Sequence, residues 1–113
     1  MQLIKSGRLS AAALTTTLCL LSATVQAAGN AEAGKAKSAT CAACHGANGV
    51  AIAPSYPNLA GQNADYMVAQ LKAFKAGERK GASSALMTPM SLPLTEQDME
   101  DLAAYFSSLE PAN

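Results

Sequence analysis

Tryptophan is absent from this 113-residue chain, histidine occurs once, phenylalanine twice and tyrosine three times. Large aromatic rings can therefore supply only a small part of a core. Cysteine occurs three times, too few for the cross-linked framework of a small disulfide scaffold. Neither sign of charge dominates: 8 Lys and Arg stand against 8 Asp and Glu, which leaves no basic field for nucleic acid. Proline and glycine, at 5 and 8, are too few for a collagenous or a Pro/Gly-rich disordered chain. No repeat or low-complexity run occurs, and no segment alternates with period two, so strands are not supported. The length fits one domain.

What is present is alanine. Half of the residues are hydrophobic, and 25 of the 113 are Ala. The first 27 residues read as an export leader rather than as fold. Lys5 and Arg8 give a positive start, Leu9 to Leu21 is mostly Ala, Leu and Thr, and Val25-Gln26-Ala27 is a small-residue cleavage pattern. Ser10, Thr15, Thr16, Thr17, Ser22, Thr24 and Gln26 dilute the run, which argues against a retained membrane span. Cleavage after Ala27 removes Cys19, where Leu18 does not suit a lipidation site, and leaves a mature domain of residues 28–113. That domain carries 6 basic and 8 acidic side chains, a formal −2, and keeps only Cys41 and Cys44. The leader implies the bacterial periplasm. No other stretch could cross a bilayer.

The mature domain is short of core. A chain of this size buries roughly 60% of its unfolded surface. At ~25 cal/mol per Å² of apolar area, a stock of Ala with Phe74 and Phe106 as the only Phe gives a thin hydrophobic contribution. Domains this small commonly rely on a disulfide, a metal or a bound group, and this composition calls for a large apolar cofactor.

Three helices are legible. Asn30 caps a short one through Thr40, with Glu32 in its first turn. Asn63 caps a second over 64–76, stopped by Gly77, with Met67, Leu71 and Phe74 on one face. Thr95-Glu96-Gln97-Asp98 resembles a capping box and opens a third, with Met99, Leu102, Phe106 and Leu109 as its buried stripe. Two stretches, 46–61 and 77–94, show no periodicity and read as loops. The second is long for so small a domain, so something in the core should hold it.

The informative element is Cys41-Ala42-Ala43-Cys44-His45. C-x-x-C-H is the pattern of covalent c-type haem attachment. On a helical turn, positions i and i+3 share a face, so two thiols so spaced can each add to one porphyrin vinyl group, and Ala42 and Ala43 leave room. His45 then reaches the iron as proximal ligand. A thioredoxin-like dithiol would need a βαβ context, a structural zinc four ligands, and a plain disulfide would leave His45 unexplained. With no second histidine, the sixth iron ligand is sought among Met67, Met87, Met90 and Met99. Met67 and Met99 lie on apolar helix faces and read as core. Local chemistry does not separate Met87 from Met90, both within Leu86-Met87-Thr88-Pro89-Met90, where Pro89 would stiffen the approach.

Three segments, AGNAEAGKAKSATCAACHGANG, YPNLAGQNADYMVAQLKAF and MTPMSLPLTEQDMEDLAAYFSSL, together resemble the small bacterial class I cytochromes c. The likeness is to the c-four/c-five subgroup and to one half of its two-haem members. It implies an all-α cytochrome c fold, three main helices and long loops wrapped around one haem c attached through Cys41 and Cys44. It also implies Met87 as the axial methionine, the carbonyl of Pro57 as acceptor for the ring N–H of His45, and Gly34 against Tyr105 where the first and last helices cross. With a single C-x-x-C-H the expectation is one haem, and any pairing of haems lies between molecules, as a monomer or weak dimer.

The expected role is one-electron transfer between membrane or periplasmic redox proteins, by a His45/Met87-ligated iron with no bond change catalysed. Two alternatives stand beside it: the same chemistry as a subunit of a larger dehydrogenase or oxidase, and a haem peroxidase or gas sensor with an open distal site. Against the last, the chain offers no distal His, and no Arg closer along the chain than Arg79. Lys72, Lys75, Arg79 and Lys80 form a basic group, and Glu96, Asp98, Glu100 and Asp101 an acidic one. Each reads as a solvated face or as a docking surface for a partner of opposite charge.

Overall fold

The computed structural model describes residues 28–113. The expected leader, 1–27, and Cys19 within it lie outside the described residues. Among the described residues all regular structure is helical: α1 (Ala31–Lys37), α2 (Ala39–His45), α3 (Ala64–Lys75), α4 (Ser84–Ser91) and α5 (Glu96–Ser107). No helix among them is long and apolar enough to cross a membrane.

The helix starts follow the expected capping chemistry. The Asn30 side chain accepts from the Ala33 N–H at 2.9 Å, and the Asn63 side chain from the Tyr66 N–H at 2.9 Å. At α5 the capping box is complete. Thr95 Oγ1 accepts from the Asp98 N–H at 3.1 Å, and Asp98 Oδ2 from the Thr95 N–H at 2.9 Å. Each cap satisfies helix-end donors that would otherwise lack a partner.

Two expectations are corrected. The first helix does not run unbroken to Thr40. It ends at Lys37, turns at Ser38, whose buried hydroxyl donates to the Lys35 carbonyl at 2.8 Å, and resumes as α2 through His45. The stretch 77–94 is not a plain loop either, for it contains α4. Its periodicity escapes a sequence reading because its burial is inverted: Ser84 and Ser91 are buried, whereas Leu86 and Met90 are exposed. Pro89 lies inside this helix.

The core lies between α3 and α5. Met67, Val68, Leu102, Ala103, Tyr105 and Phe106 form one buried cluster, with Leu59, Leu94 and Leu109 packed against it. Met99, 1% exposed, and Phe74 are buried as the helix patterns predict.

The tightest contact is the crossing of α1 and α5. A Cβ added to Gly34 would stand 1.9 Å from the Asp101 carbonyl oxygen and 2.8 Å from Tyr105 Cβ. The crossing therefore requires bare backbone at position 34, and Tyr105 covers it as expected. Polar groups lock the same crossing. Asp101 is only 4% exposed and accepts from the Asn30 N–H at 2.8 Å, from Lys37 Nζ at 2.6 Å and from Gln97 Nε2 at 3.0 Å. Lys37 also pairs with Asp98 at 2.8 Å. Two of the four acidic residues on the last helix thus turn onto Lys37 rather than forming a solvated face, and Asp101 is part of the interior.

The Lys37 ammonium, then the Asn30 N–H and the Gln97 amide, hold the Asp101 carboxyl down at about 2. Lys37, with help from Thr95, likewise holds Asp98 well below the usual carboxylate range. A carboxyl lowered in the folded state contributes its full stability above its unfolded value, 3.8 for Asp101, and loses it as pH falls through the folded one.

The melting temperature of the haem-loaded protein is accordingly expected to hold above about pH 4 and to fall between about pH 4 and pH 2. In Asp101→Asn the neutral-pH value should be lower and the acid fall smaller, as thermal melts at each pH would show. Gly34→Ala should destabilise by at least about 2 kcal/mol in denaturant titration, because backbone on both sides of the clash cannot yield.

Candidate functional site

The pentapeptide sits on α2. Cys41 and Cys44 occupy positions i and i+3 of that helix, so both sulfurs project from one face. Both are free thiols and both are half-buried. Cys41 packs against the core cluster, and burial pushes its thiol above the ordinary value, which keeps it protonated. Free thiols are what thioether formation consumes. Addition across a vinyl double bond puts sulfur on one carbon and the thiol hydrogen on its neighbour, with no net oxidation or reduction.

His45 closes α2. The chain then leaves through Gly46 at φ 79°, where a Cβ would lie 1.9 Å from the Val50 carbonyl oxygen. Only glycine can follow the histidine here. The imidazole is 6% exposed. Its Nδ1 lies 2.8 Å from the Pro57 carbonyl oxygen. A carbonyl only accepts, so Nδ1 carries the hydrogen, and the lone pair is on Nε2. Nε2 has no hydrogen-bond partner among the described residues. Since none of their side-chain nitrogens or oxygens is both sealed and unpartnered, Nε2 opens on accessible space. The contact joins residues 12 apart in the chain, the pairing that the resemblance to the class I cytochromes c implied.

The segment presenting Pro57 is well ordered by backbone bonds. Gly49 O accepts from the Leu59 and Ala60 N–H groups at 2.8 and 3.0 Å, and Asn58 Oδ1 accepts from the Ala51 N–H at 2.8 Å. The Tyr56 ring stands edge-on to the imidazole, with centroids 6.5 Å apart.

Of the four methionines considered, Met67 and Met99 are core, at 7% and 1% exposure. Met90 is 48% exposed. Met87 is half-buried on α4 and near His45. Ser91, fully buried, donates from its Oγ to the Met87 carbonyl at 2.9 Å and so fixes the backbone that carries this thioether. Nothing in the sequence marked Ser91, because a serine four residues after a methionine is unremarkable until both are seen on one helix.

The basic group is less available than its sequence suggests. Lys72 pairs with Glu96 at 3.1 Å, Lys75 donates to the Leu94 carbonyl, and Lys80 donates to the Gly77 carbonyl at 2.8 Å. Arg79 lies over the Phe74 ring at 4.3 Å and donates to Gln70 at 3.2 Å. These ties brace the approach to α4.

Among the described residues, no three His, Cys, Asp or Glu side chains gather as a metal site, so a four-ligand zinc centre lacks its donors. Two free thiols on one helical face, next to a buried imidazole with an accessible lone pair, fit a covalently held haem. Together with an all-helical fold, they define a c-type haem protein.

Comparison with known proteins gives the same answer. Residues 31–110 match the family model for cytochrome c. The chain is 53% identical over 83 residues to cytochrome c-554(548) of Halomonas halodenitrificans, covering 74% of this chain and all of that protein. It is 51% identical over 88 residues to cytochrome c4 of Stutzerimonas stutzeri, covering 73% of this chain and 42% of that one. The crystal structure of reduced recombinant cytochrome c4 from Pseudomonas stutzeri superposes with a TM-score of 0.64 at 49% identity, over 74% of this chain and 47% of that chain. The chain thus spans the whole of one relative but only about half of the c4 proteins it matches. It belongs to the cytochrome c family, an electron-transfer family, and binds haem c covalently through Cys41 and Cys44.

Made in a host that attaches haem, the protein should have an intact mass exceeding its polypeptide by one haem. The doubly substituted Cys41→Ala/Cys44→Ala chain should show the bare polypeptide mass and no cooperative thermal melt. A cooperative melt without haem would contradict the thin-core argument.

Proposed function

We propose that this chain is an exported, periplasmic carrier of single electrons between respiratory redox proteins, with His45 and Met87 as the two axial ligands of its haem iron. The observation that carries the proposal is the held imidazole: Nδ1 tied to Pro57 O at 2.8 Å, Nε2 accessible, beside two free thiols. Haem c, when bound, supplies a one-electron Fe(III)/Fe(II) couple.

The residues divide the remaining work. Cys41 and Cys44 hold the macrocycle so that it cannot dissociate. Pro57 O, accepting from Nδ1–H, fixes the imidazole tautomer and raises the basicity of Nε2. Met87 offers a soft thioether from the opposite element, α4, and Met with His raises the reduction potential relative to harder ligand sets. The Ser91 hydroxyl fixes the backbone of α4 at Met87, and Lys75, donating to the Leu94 carbonyl, ties α3 to the chain just beyond α4.

If His45 and Met87 both held the iron, the protein itself would leave no open place on the metal for a substrate. A ligand set that stays the same in both oxidation states keeps reorganisation small. Both features suit outer-sphere electron transfer and not catalysis of bond change. The leader read in 1–27 supports export, and haem attachment outside the cytoplasm agrees with it. Partners are redox proteins that meet the haem edge.

In the oxidised protein we expect the far-red sulfur-to-iron band. Met87→Ala should abolish it, lower the reduction potential and admit added imidazole or cyanide rapidly, while Met90→Ala should leave all three unchanged. Absorption spectra and a redox titration of the two variants decide the matter. The reverse pattern would move the ligand to Met90.

A further inference from the structure

We propose that Tyr105, on the last helix, is a positioning residue for His45, acting through the loop that carries the Pro57 carbonyl. This inference rests on the reading of His45 as the proximal ligand. Two neighbouring residues of α5 grip the two ends of one segment. The Tyr105 hydroxyl donates to the Ala47 carbonyl at 3.0 Å, and the Phe106 carbonyl accepts from the Gly61 N–H at 2.9 Å. Between these grips lies Pro57, whose carbonyl holds Nδ1.

The segment is closed internally as well. Gly49 O binds the Leu59 and Ala60 N–H groups, and the Ile52 N–H returns to the Cys44 carbonyl at 3.2 Å. A displacement of Ala47 is therefore passed through the Gly46–Gly49 turn to residues 57–60, and so to the acceptor of the histidine hydrogen.

The crossing with α1 does not need the hydroxyl. At Gly34 the contact is with Tyr105 Cβ and with backbone, which a phenylalanine would provide equally. Tyr105 is 7% exposed, and a buried hydroxyl is tolerated only when partnered. The partner found lies 58 residues away, two residues past His45. The ring serves the helix crossing, and the oxygen serves the haem's proximal side.

The test uses the haem-loaded, ferrous protein and its Tyr105→Phe variant, with Ser108→Ala as control. Ser108 Oγ donates to the Tyr105 carbonyl at 2.7 Å, so its loss removes an α5 hydroxyl bond that does not reach the loop. Nuclear magnetic resonance follows solvent exchange of the His45 Nδ1 hydrogen. In Tyr105→Phe this exchange should accelerate by about tenfold, the equivalent of one buried hydrogen bond, together with the Leu59 and Ala60 amides. Amides inside α3 should change only as global stability does, and Ser108→Ala should leave the His45 hydrogen protected. Uniform acceleration at every site, or an unchanged His45 hydrogen, would overturn the positioning role. Ring-current-shifted His45 protons in the parent establish axial ligation separately. Their absence would overturn the ligand assignment and this inference together, whereas their presence with unchanged exchange would overturn this inference alone.

Discussion

The structure depends on a backbone-to-backbone contact at Gly34. The last helix passes so close to the first that one carbon atom at position 34 would collide with the Asp101 carbonyl. Everything that holds haem is then measured from that crossing. Because α2 resumes one residue after α1, the direction of α1 sets where Cys41, Cys44 and His45 emerge. From the other side, α5 reaches the loop that carries Pro57 through Tyr105 and Phe106. Side chains of modest size suffice because the helices meet where no side chain stands between them. This is how a chain so rich in alanine can still fix a site.

Charge reinforces the crossing. A carboxylate buried at Asp101 would be costly alone, but it receives a backbone N–H, an ammonium and an amide. Two of its three partners come from the ends of α1, from Asn30 before the first turn and Lys37 in the last. The residue therefore reads the placement of the whole helix, and a shift along the α1 axis would break one contact or the other. Such a group specifies a register more than it adds stability.

Local rules made much of this legible. Asn30, Asn63 and the Thr95/Asp98 pair marked three helix starts, and Met67, Phe74, Met99, Leu102 and Phe106 showed which faces turn inward. The pentapeptide showed the chemistry, because the spacing of two thiols and an imidazole has few other uses. The missed features share a cause. Helix α4 exposes Leu86 and Met90 and buries Ser84 and Ser91, so periodic hydrophobicity points the wrong way. Asp101 looks like one more surface acid beside Asp98 and Glu100 until Lys37 is brought to it from 64 residues away. The Tyr105 hydroxyl and the Ser91 hydroxyl acquire meaning only from their acceptors. Side-chain type is visible in a sequence, but the partner of a polar atom is a property of the assembled fold.

Helix α4 has a consequence for how the molecule comes apart. No side chain caps its start, a proline interrupts its backbone ladder, and two of its larger side chains face outward. It is the element with the least of its own to keep it in place, whereas the thiol-bearing helix is continuous with the most tightly packed crossing. Loosening under heat or denaturant would thus start at α4 and leave the thiol-bearing helix standing. The two helices are unequal by construction, one fixed by a backbone crossing and the other held mainly by what packs on it.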